Sequence, residues 1–463
     1  KESHSLFMVE KTLEAMKKGG IYDQIGGGLC RYSTNHSWLI PHFEKMLYDN
    51  SLFLGVLSEA YQITKNPFYE SAVRDIINYI ERDMRLEEGG IASAEDADSE
   101  GEEGKFYTWD FKEFEEVLGE DSDILAEFWN VSDDGNFEGK NILNESFDLD
   151  FCKEKNLNEN EFNYTLENGK SLLLNRRESR IRPLRDDKVL TSWNCLYITS
   201  LAYTGVVLED YDYLDKAKET YDFIFDKLFD EKRRLLRRYR EGEAKYPAYL
   251  SDYAELIHAS IALYRAFFDI TYLEKAKKLT EEVIRLFYSD FGPFYETGVD
   301  SEKLLRRSID GYDGVEPSGN STMAYVLLLL ASYGIESDDY TKVVEDIFKY
   351  FKTDIDTRPV SHPFMLKAYM LYNSEINEIV VVHKKHSPKA GEAVGIINKY
   401  YFPNSIVVVS SLEELPENSK VIPLLENRES DHEIAIYICK KGICDLPIYN
   451  LEDLDKKLGE LTK

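Results

Sequence analysis

The sequence predicts a mainly α-helical protein: an (α/α)6 toroid of six helical hairpins over residues 1–373, followed by a small α/β domain over residues 374–463. Three observations lead to this prediction. Apolar residues recur with the period of a helix up to about residue 373. The connections between the helices alternate in length. Beyond residue 373, short runs of β-branched residues replace the helical pattern.

The helical part is predicted to contain twelve helices. Pro41 suits the first turn of the second helix, because the first backbone N–H groups of a helix have no helical partner. In chain order the predicted helices cover residues 5–18, 41–64, 67–86, 110–130, 159–180, 188–208, 211–229, 248–269, 271–288, 318–334, 337–351 and 360–373.

Loop lengths give the toroid its strongest support. Short connections leave most even-numbered helices, whereas long connections mostly lead into them, with the insert 131–158 as an exception. In antiparallel hairpins alternate loops lie at opposite ends, so the long loops gather at one end. We expect them to form a pocket there for a small polar molecule, most simply a sugar. A superhelical array is the alternative, and the lack of a fixed-period repeat favours the closed ring.

The C-terminal segment has the pattern of an α/β domain. Strands are predicted at residues 378–383, 405–410, 420–424 and 433–439, and helices at residues 390–400 and 450–461. Cys439 and Cys444 lie at the end of the last strand, where they could form a disulfide. Two cysteines do not complete a zinc site, so no metal is predicted.

Composition limits the classes of function. The formal net charge of −30 disfavours nucleic acid and anionic membranes as partners. No stretch of about 18 apolar residues is present, so no transmembrane helix is expected. Five scattered cysteines do not describe a disulfide scaffold, and a reduced, cytoplasmic setting is predicted. No cofactor is indicated.

The first long loop supplies one group of candidate site residues. It contains a glycine-rich stretch over residues 19–28, which permits close backbone approach. If the second helix begins at residue 41, polar residues that lie three and four positions apart fall on the same face of that helix. The alternative interpretation is a buried salt-bridge network that clamps the loop. The candidates are Arg31, His42, Glu44, Lys45, Tyr48 and Asp49.

The second long loop combines carboxylates with aromatic rings. Glu95, Asp96 and Asp98 could bind Ca²⁺ or take part in acid–base chemistry, although they lack the spacing of an EF-hand calcium loop. Tyr107 and Trp109 could provide surfaces on which a sugar stacks. A solvated acidic loop is the alternative.

The starts of later even-numbered helices add further candidates. A histidine bracketed by prolines at a helix start, His362, is a better catalytic candidate than His258 in mid-helix, which is assigned to the core. Asp187 could simply cap its helix. The remaining candidates are Arg185, Trp193, Asn194, Asp252, Tyr253, Asp313 and Asn320.

Several of these motifs resemble one known family. They are Gly-Gly-Ile-Tyr-Asp-Gln-Ile-Gly-Gly-Gly from Gly19, Pro-His-Phe-Glu-Lys-Met-Leu-Tyr-Asp from Pro41, Glu-Asp-Ala-Asp-Ser-Glu-Gly from Glu95, Arg-Asp-Asp-Lys-Val-Leu-Thr-Ser-Trp-Asn from Arg185 and Pro-Ser-Gly-Asn-Ser from Pro317. They are similar to motifs of the spermatogenesis-associated protein 20 family. The resemblance implies a helical part like six-hairpin glycosidases and N-acylglucosamine 2-epimerases. This sequence departs from the family's pattern at two positions: Cys30 stands where His is usual, and Cys195 stands where Gly is usual.

The resemblance also implies a partner. Members typically carry an N-terminal thioredoxin-like domain, whereas nothing in this sequence corresponds to one and no Cys-X-X-Cys is present. A thioredoxin-like domain in the full chain is therefore an expected partner, besides a sugar-like small molecule.

Three functions follow as hypotheses, and the third is a metal-dependent enzyme with a cation at Glu95, Asp96 and Asp98. The first is a carbohydrate-active enzyme, either an epimerase/isomerase or a glycoside hydrolase, whose catalytic residues come from His42, Glu44, Asp187, Asp252 and His362. Epimerisation would use His42 and His362 with Arg31 or Arg185 nearby. Hydrolysis would instead pair Asp96 or Asp98 with Asp187 or Asp252. The second hypothesis is a non-catalytic adaptor that works with a thioredoxin-like domain in redox or protein quality control.

Overall fold

The computed structural model describes residues 3–145, 151–440 and 442–461, so residues 146–150 of the predicted insert lie outside the described part. The chain divides into two compact units, Lys1–Lys188 and Val189–Lys463. The chain is mainly α-helical, and its helices follow one another as antiparallel hairpins. After the last hairpin helix comes a small α/β domain, so the predicted fold class is confirmed.

The first unit combines long helices with very short strands. Its helices are α1 (Ser3–Lys18), α2 (Leu47–Thr64), α3 (Pro67–Tyr79), α4 (Phe111–Leu118), α5 (Ser122–Phe128), α6 (Phe151–Glu154) and α7 (Glu159–Arg177). Its strands are β1 (Tyr32–Ser33), β2 (Pro41–His42), β3 (Lys45–Met46), β4 (Ala94–Glu95), β5 (Asp98–Ser99), β6 (Glu102–Glu103) and β7 (Arg185–Asp186). A π-helical turn, Ile80–Met84, continues α3. The strands β3, β4 and β7 form one small antiparallel sheet.

The second unit contains the remaining hairpins. Its helices up to the α/β domain are α8 (Thr191–Leu208), α9 (Tyr211–Lys227), α10 (Leu250–Phe267), α11 (Thr271–Phe287), α12 (Gly319–Ser332), α13 (Ser337–Thr357) and α14 (Pro363–Tyr372). The helices α8, α10, α12 and α14 pack side by side in that order, and each of the first three also packs against the helix that follows it in the chain. Three strands, β8 (Val189–Leu190), β9 (Leu236–Arg240) and β10 (Glu243–Pro247), form an antiparallel sheet.

Tight turns connect the hairpin helices by a repeated device. The residue after α2, Lys65, and the residue after α8, Glu209, both adopt left-handed backbone conformations, with φ of 56° and 55°. The next residue, Asn66 or Asp210, then accepts a backbone hydrogen bond at the start of the following helix. A left-handed residue followed by a side-chain cap reverses the chain within two residues.

The α/β domain is built on a four-stranded sheet. Its elements are β11 (Asn377–His383), α15 (Pro388–Asn398), β12 (Ser405–Ser411), α16 (Leu415–Asn418), β13 (Ile434–Lys440), β14 (Ile443–Cys444) and α17 (Leu451–Leu461). The strand order is β12-β11-β13-β14, with β11 parallel to β12 and antiparallel to β13. Side chains of α15 and α17 pack on apolar residues of the sheet and form a separate core cluster.

Three sequence predictions need correction. The second helix begins at Leu47 rather than residue 41, because its first six predicted residues include strands β2 and β3. The fourth predicted helix is interrupted at Gly119, which has a φ of 58° and separates α4 from α5. The predicted strand 420–424 is absent from the described residues: a 3-10 turn, Pro423–Leu425, lies there instead. Within the described ranges no helix is long and apolar enough to cross a membrane.

Candidate functional site

In the first unit, the glycine-rich loop is held by a buried ion-pair network. Asp23 accepts hydrogen bonds from Lys45 Nζ and Arg177 Nη1, each at 2.8 Å. All three side chains are almost fully buried. Burial alone would raise the pKa of Asp23, but the charges of Arg177 and Lys45 outweigh it and hold that pKa well below its usual range. The loop is thus fixed by charges that are almost fully shielded from water.

The same network fixes the backbone of the loop. Lys45 Nζ also donates to the Gly27 carbonyl at 2.9 Å. Gly27 and Gly28 have φ of 75° and 85°, and a Cβ on Gly28 would lie 2.5 Å from the Tyr79 ring. Only glycine satisfies both the conformation and the close approach. The alternative interpretation of this region, a salt-bridge network that clamps the loop, therefore describes its inner part.

The outer part of the loop carries a partly exposed group of site candidates. His42 lies between two carboxylates, with Nδ1 2.7 Å from Glu103 and Nε2 3.7 Å from Glu44. Arg31 pairs with the same Glu44 at 3.2 Å, and it also interacts with the Tyr48 hydroxyl. The structure thus brings Arg31, His42, Glu44 and Tyr48 together, although His42 lies on β2 and not on the predicted helix face.

The second-loop candidates do not form a common surface. Asp96 and Asp98 are exposed, whereas Trp109 is fully buried in a core cluster beneath the Arg180 guanidinium, 4.1 Å from its ring. Tyr107 stacks on Phe43, with ring centroids 5.9 Å apart. Arg185 pairs with Asp187 at 2.8 Å on the surface. Of the predicted stacking surfaces, Trp109 faces protein rather than solvent.

A second cluster, which we name the acid–aromatic site, lies in the second unit. It joins ionisable groups and partly exposed rings from α8, β9, α10, α12, α14 and the loops that precede α12. Its members are Trp193, Arg237, Glu255, His258, Glu296, Glu316, Tyr325 and Phe364. A hydrogen bond of 2.7 Å joins Trp193 Nε1 to Glu316. Glu316 interacts electrostatically with Glu255 and Arg237, and Glu296 interacts electrostatically with Arg237.

Two glutamates in the acid–aromatic site have strongly shifted pKa values. Burial raises the pKa of Glu316 to about 7, even though the hydrogen bond from Trp193 opposes the shift. Burial also raises the pKa of Glu296 to about 7, and the charges of Asp310 and Asp252 add to this effect. Carboxyl groups with pKa values near 7 exchange protons readily at physiological pH.

A histidine and a glutamate form a third acid–base element there. Glu255 Oε1 accepts a hydrogen bond from Thr322 Oγ1 at 2.8 Å, and Oε2 lies 3.6 Å from His258 Nδ1. The His258 ring packs edge-on against Tyr325 and Phe364, with centroids 5.5 and 6.4 Å away. His258 is thus packed against two rings, and its Nδ1 lies near the Glu255 carboxylate but beyond hydrogen-bonding distance of it.

Other predicted residues in this unit anchor its loops. Asp252 is fully buried and accepts hydrogen bonds from the Ser192 and Tyr249 N–H groups and from Arg237. Asp313 and Asn320 likewise bond backbone groups. The other buried candidates are Asn194, which bonds Leu190, Tyr253, which bonds Arg234, and His362, which bonds the Gly311 carbonyl. Their polar atoms are used within the protein.

Sequence reasoning missed the most perturbed groups. Glu316 and Glu296 lie in a long loop, and their pKa shifts depend on burial by residues far away in the chain. The mid-helix position of His258 predicts a core residue rather than a site residue. Its three-residue spacing from Glu255 is a usable signal for the site, since residues three apart share a helix face.

No protein-family model matches the chain. The chain is 30% identical to the uncharacterized protein B0495.5 of Caenorhabditis elegans, over 98% of this chain and 66% of that protein. It is 29% identical to spermatogenesis-associated protein 20 of Homo sapiens, over 97% of this chain and 62% of that protein. The chain therefore spans somewhat less than two thirds of the length of these relatives.

Similar solved structures have α/α toroid folds. One is a sugar epimerase from a ruminal bacterium, with a TM-score of 0.47 and 12% identity over 75% of this chain and 72% of that one. Another is cellobiose 2-epimerase of Spirochaeta thermophila, with a TM-score of 0.46 and 13% identity over 77% of this chain and 72% of that one. The resemblance carried by the motifs is confirmed by the relatives: over nearly its full length, this chain is a homologue of the proteins named spermatogenesis-associated protein 20.

Proposed function

We propose that the chain is a carbohydrate-active enzyme that moves protons at the acid–aromatic site. The observation that carries this proposal is the grouping of two buried glutamic acids, each with a pKa of about 7, with His258, whose Nδ1 lies 3.6 Å from the Glu255 carboxylate. In a structural ion pair both groups stay ionised, as the Asp23 carboxylate does because its pKa is lowered. Groups held near half-protonation instead suit general acid–base catalysis.

The rings of the site support a sugar as its substrate. Trp193, Tyr325 and Phe364 are each partly exposed. Tyr325 and Phe364 meet edge-on with centroids 5.4 Å apart. Sugars present C–H faces that pack on aromatic rings, and hydroxyl groups that donate to carboxylates. Arg237 adds a donor for sugar oxygens, and Asp252 holds its guanidinium at 3.0 Å.

The epimerase or isomerase version assigns the roles as follows. His258, which lies beside Glu255, removes a proton from the carbon next to a sugar carbonyl. Glu316 in its acid form protonates the developing oxyanion, or returns a proton to carbon. Arg237 stabilises the negative charge of the enediolate.

The hydrolase version rests on the two glutamates alone. One protonated carboxyl group would protonate the leaving oxygen of a glycosidic bond, and the other would act as base or nucleophile once ionised. The paired shifts of Glu296 and Glu316 favour this version as a second candidate. His258 is not required by it, which makes the two versions separable by experiment.

A single NMR experiment tests both versions. Mono- and disaccharides are incubated with the protein in D2O, and ¹H spectra follow both loss of the C–H signal next to the carbonyl and release of new reducing ends. The first version predicts deuterium incorporation, and His258→Gln should slow it by about 100-fold or more. His4→Gln, at an exposed position on α1, is the matched control and should leave the rate unchanged.

The outcomes separate the hypotheses. Release of reducing ends that survives His258→Gln but not Glu316→Gln would favour the hydrolase. Sugar binding without either reaction would return the chain to the adaptor hypothesis. Absence of binding by every sugar in the panel would refute the proposal.

A further inference from the structure

The α/β domain contains a disulfide that the acid–aromatic site does not involve. Cys439 on β13 and Cys444 on β14 are bonded, and they are directly opposite each other in the antiparallel pair. Cys439 is buried, whereas Cys444 is only half-buried. Cys444 is thus the more accessible residue of the pair.

A cation lies against both sulfur atoms. Arg428 Nη2 is 3.1 Å from Cys444 Sγ and 3.6 Å from Cys439 Sγ. The guanidinium is held in place by the Leu424 carbonyl at 3.1 Å and by the face of Tyr437, 4.8 Å from its ring. A fixed positive charge stabilises a thiolate far more than it stabilises a neutral disulfide. This position therefore favours the reduced state of the pair and makes either sulfur a better leaving group.

A buried acid lies on the same side of the sheet. Glu378 on β11 is directly opposite Cys439 on β13, and opposed residues of antiparallel strands project to the same face. Glu378 is nine-tenths buried, and its Oε2 has no hydrogen-bond partner among the described residues. It also lines a cavity of about 290 Å³ together with Ser374 and Leu424. Burial raises the pKa of Glu378, so it retains a proton to a higher pH than an ordinary glutamate.

We propose that Cys439 and Cys444 form a redox-active pair that exchanges electrons with a dithiol, with Arg428 and Glu378 as its positioning residues. This site is independent of the proposed sugar chemistry. Its observations are the cross-strand disulfide with one half-buried cysteine, the cation on both sulfurs, and the buried acid beside Cys439, whose Oε2 has no hydrogen-bond partner among the described residues.

The exchange proceeds in two balanced steps. A thiolate of the dithiol attacks Cys444 Sγ, a mixed disulfide forms, and Cys439 leaves as a thiolate beside Arg428. Glu378 gives its proton to that thiolate. The second thiolate of the dithiol then attacks its own sulfur in the mixed disulfide, and Cys444 leaves as a thiolate that takes a proton from solvent. Glu378 regains a proton from solvent, which has taken up the two protons that the dithiol lost on ionising. In sum, two electrons and two protons pass to the pair, and the dithiol becomes a disulfide.

The test uses the full chain in buffers of reduced and oxidised dithiothreitol, with alkylation and mass spectrometry of the Cys439–Cys444 peptide. We expect reversible reduction while the protein stays folded, as judged by circular dichroism. Arg428→Gln should need an about tenfold higher ratio of reduced to oxidised dithiothreitol, equivalent to about 30 mV for two electrons. Arg428→Lys keeps the charge and should recover most of this change. Lys420→Gln, at an exposed site in the same domain, is the matched control.

Glu378→Gln tests the proton donor. In the unaltered chain the reduction rate, corrected for the dithiothreitol thiolate concentration, should fall as pH rises and Glu378 ionises. The disulfide of the Glu378→Gln variant should be reduced more slowly at low pH, and its reduction rate should not fall as the pH rises. The exposed control Glu392→Gln should show the same fall in rate as the unaltered chain. Reduction that occurs only on unfolding, a pair that never oxidises in the folded chain, or an unchanged ratio in Arg428→Gln would each overturn the proposal.

Discussion

Replacing Glu316 with glutamine removes a titratable proton from the acid–aromatic site while keeping the shape of the side chain. The amide oxygen of the introduced glutamine can still accept the hydrogen bond that Trp193 Nε1 donates at 2.7 Å. The variant therefore resembles the protonated state of Glu316 and cannot form the ionised state. Its stability should differ from that of the unaltered chain only where Glu316 loses its proton.

The direction and the size of the stability difference follow from the pKa shift of Glu316. The folded pKa of about 7 lies above the ordinary value of 4.5, so between these pH values the folded chain binds more protons than the unfolded chain. The free energy of unfolding therefore keeps its full value below pH 4.5, and it declines as the pH rises to 7 and Glu316 ionises. A shift of this size corresponds to about 3 kcal/mol once Glu316 is ionised. We expect Glu316→Gln to match the unaltered chain at pH 4.5 and to be more stable by up to about that amount at pH 8.5.

Urea denaturation at the two pH values measures the difference, with fluorescence of the second unit as the signal. Glu231→Gln, at an exposed glutamate of the same unit, is the matched control and should show equal stability changes at both pH values. A difference between Glu316→Gln and the unaltered chain that does not depend on pH would refute the reasoning. A variant that is less stable at pH 8.5 would refute it more strongly.

Three further predictions concern the clamp and the disulfide. Lys45→Met should lower the free energy of unfolding by about 2–3 kcal/mol in urea titrations, because it removes one of the two cations that pair with buried Asp23 and leaves Arg177 as the other; a loss below about 1 kcal/mol would contradict the clamp. Gly28→Ala should lower the melting temperature more than Gly101→Ala, since both positions have positive φ but only Gly28 faces a ring, and equal shifts would contradict this account. Replacing Cys439 and Cys444 by serine should cost only about 2 kcal/mol of stability in urea, because the disulfide closes a short loop. A loss of more than about 4 kcal/mol would show that the pair is mainly a structural staple.

Helices are predictable because their apolar periodicity is a local signal. The starts of helices are less so: residues 45 and 46 continue a helical pattern, but they pair with Glu95 and Ala94 in a small sheet. Such pairing joins residues that are distant in the chain, and no local pattern announces it. The incorrect prediction of a strand at residues 420–424 could have been avoided from the local sequence, since Pro423 has no N–H group to donate to a neighbouring strand.

The candidate site is predictable only in part. Polar residues at helix starts are predicted site residues, yet Asp313 and Asn320 anchor the loops there. Capping and catalysis draw on the same residue types at the same positions, so a sequence does not separate them. The pKa shifts of Glu296 and Glu316 arise from burial by other segments of the chain. That burial cannot be inferred from the sequence around either residue.

The central claim is that a sugar binds at the acid–aromatic site, and a thermal-shift screen of mono- and disaccharides on three proteins tests it most directly. The proteins are the unaltered chain, Trp193→Leu in that site, and His42→Ala in the glycine-rich loop region of the first unit. We expect at least one sugar to raise the melting temperature of the unaltered chain and of His42→Ala, but not that of Trp193→Leu. A shift that persists in Trp193→Leu and disappears in His42→Ala would contradict the claim, as would the absence of any shift in all three.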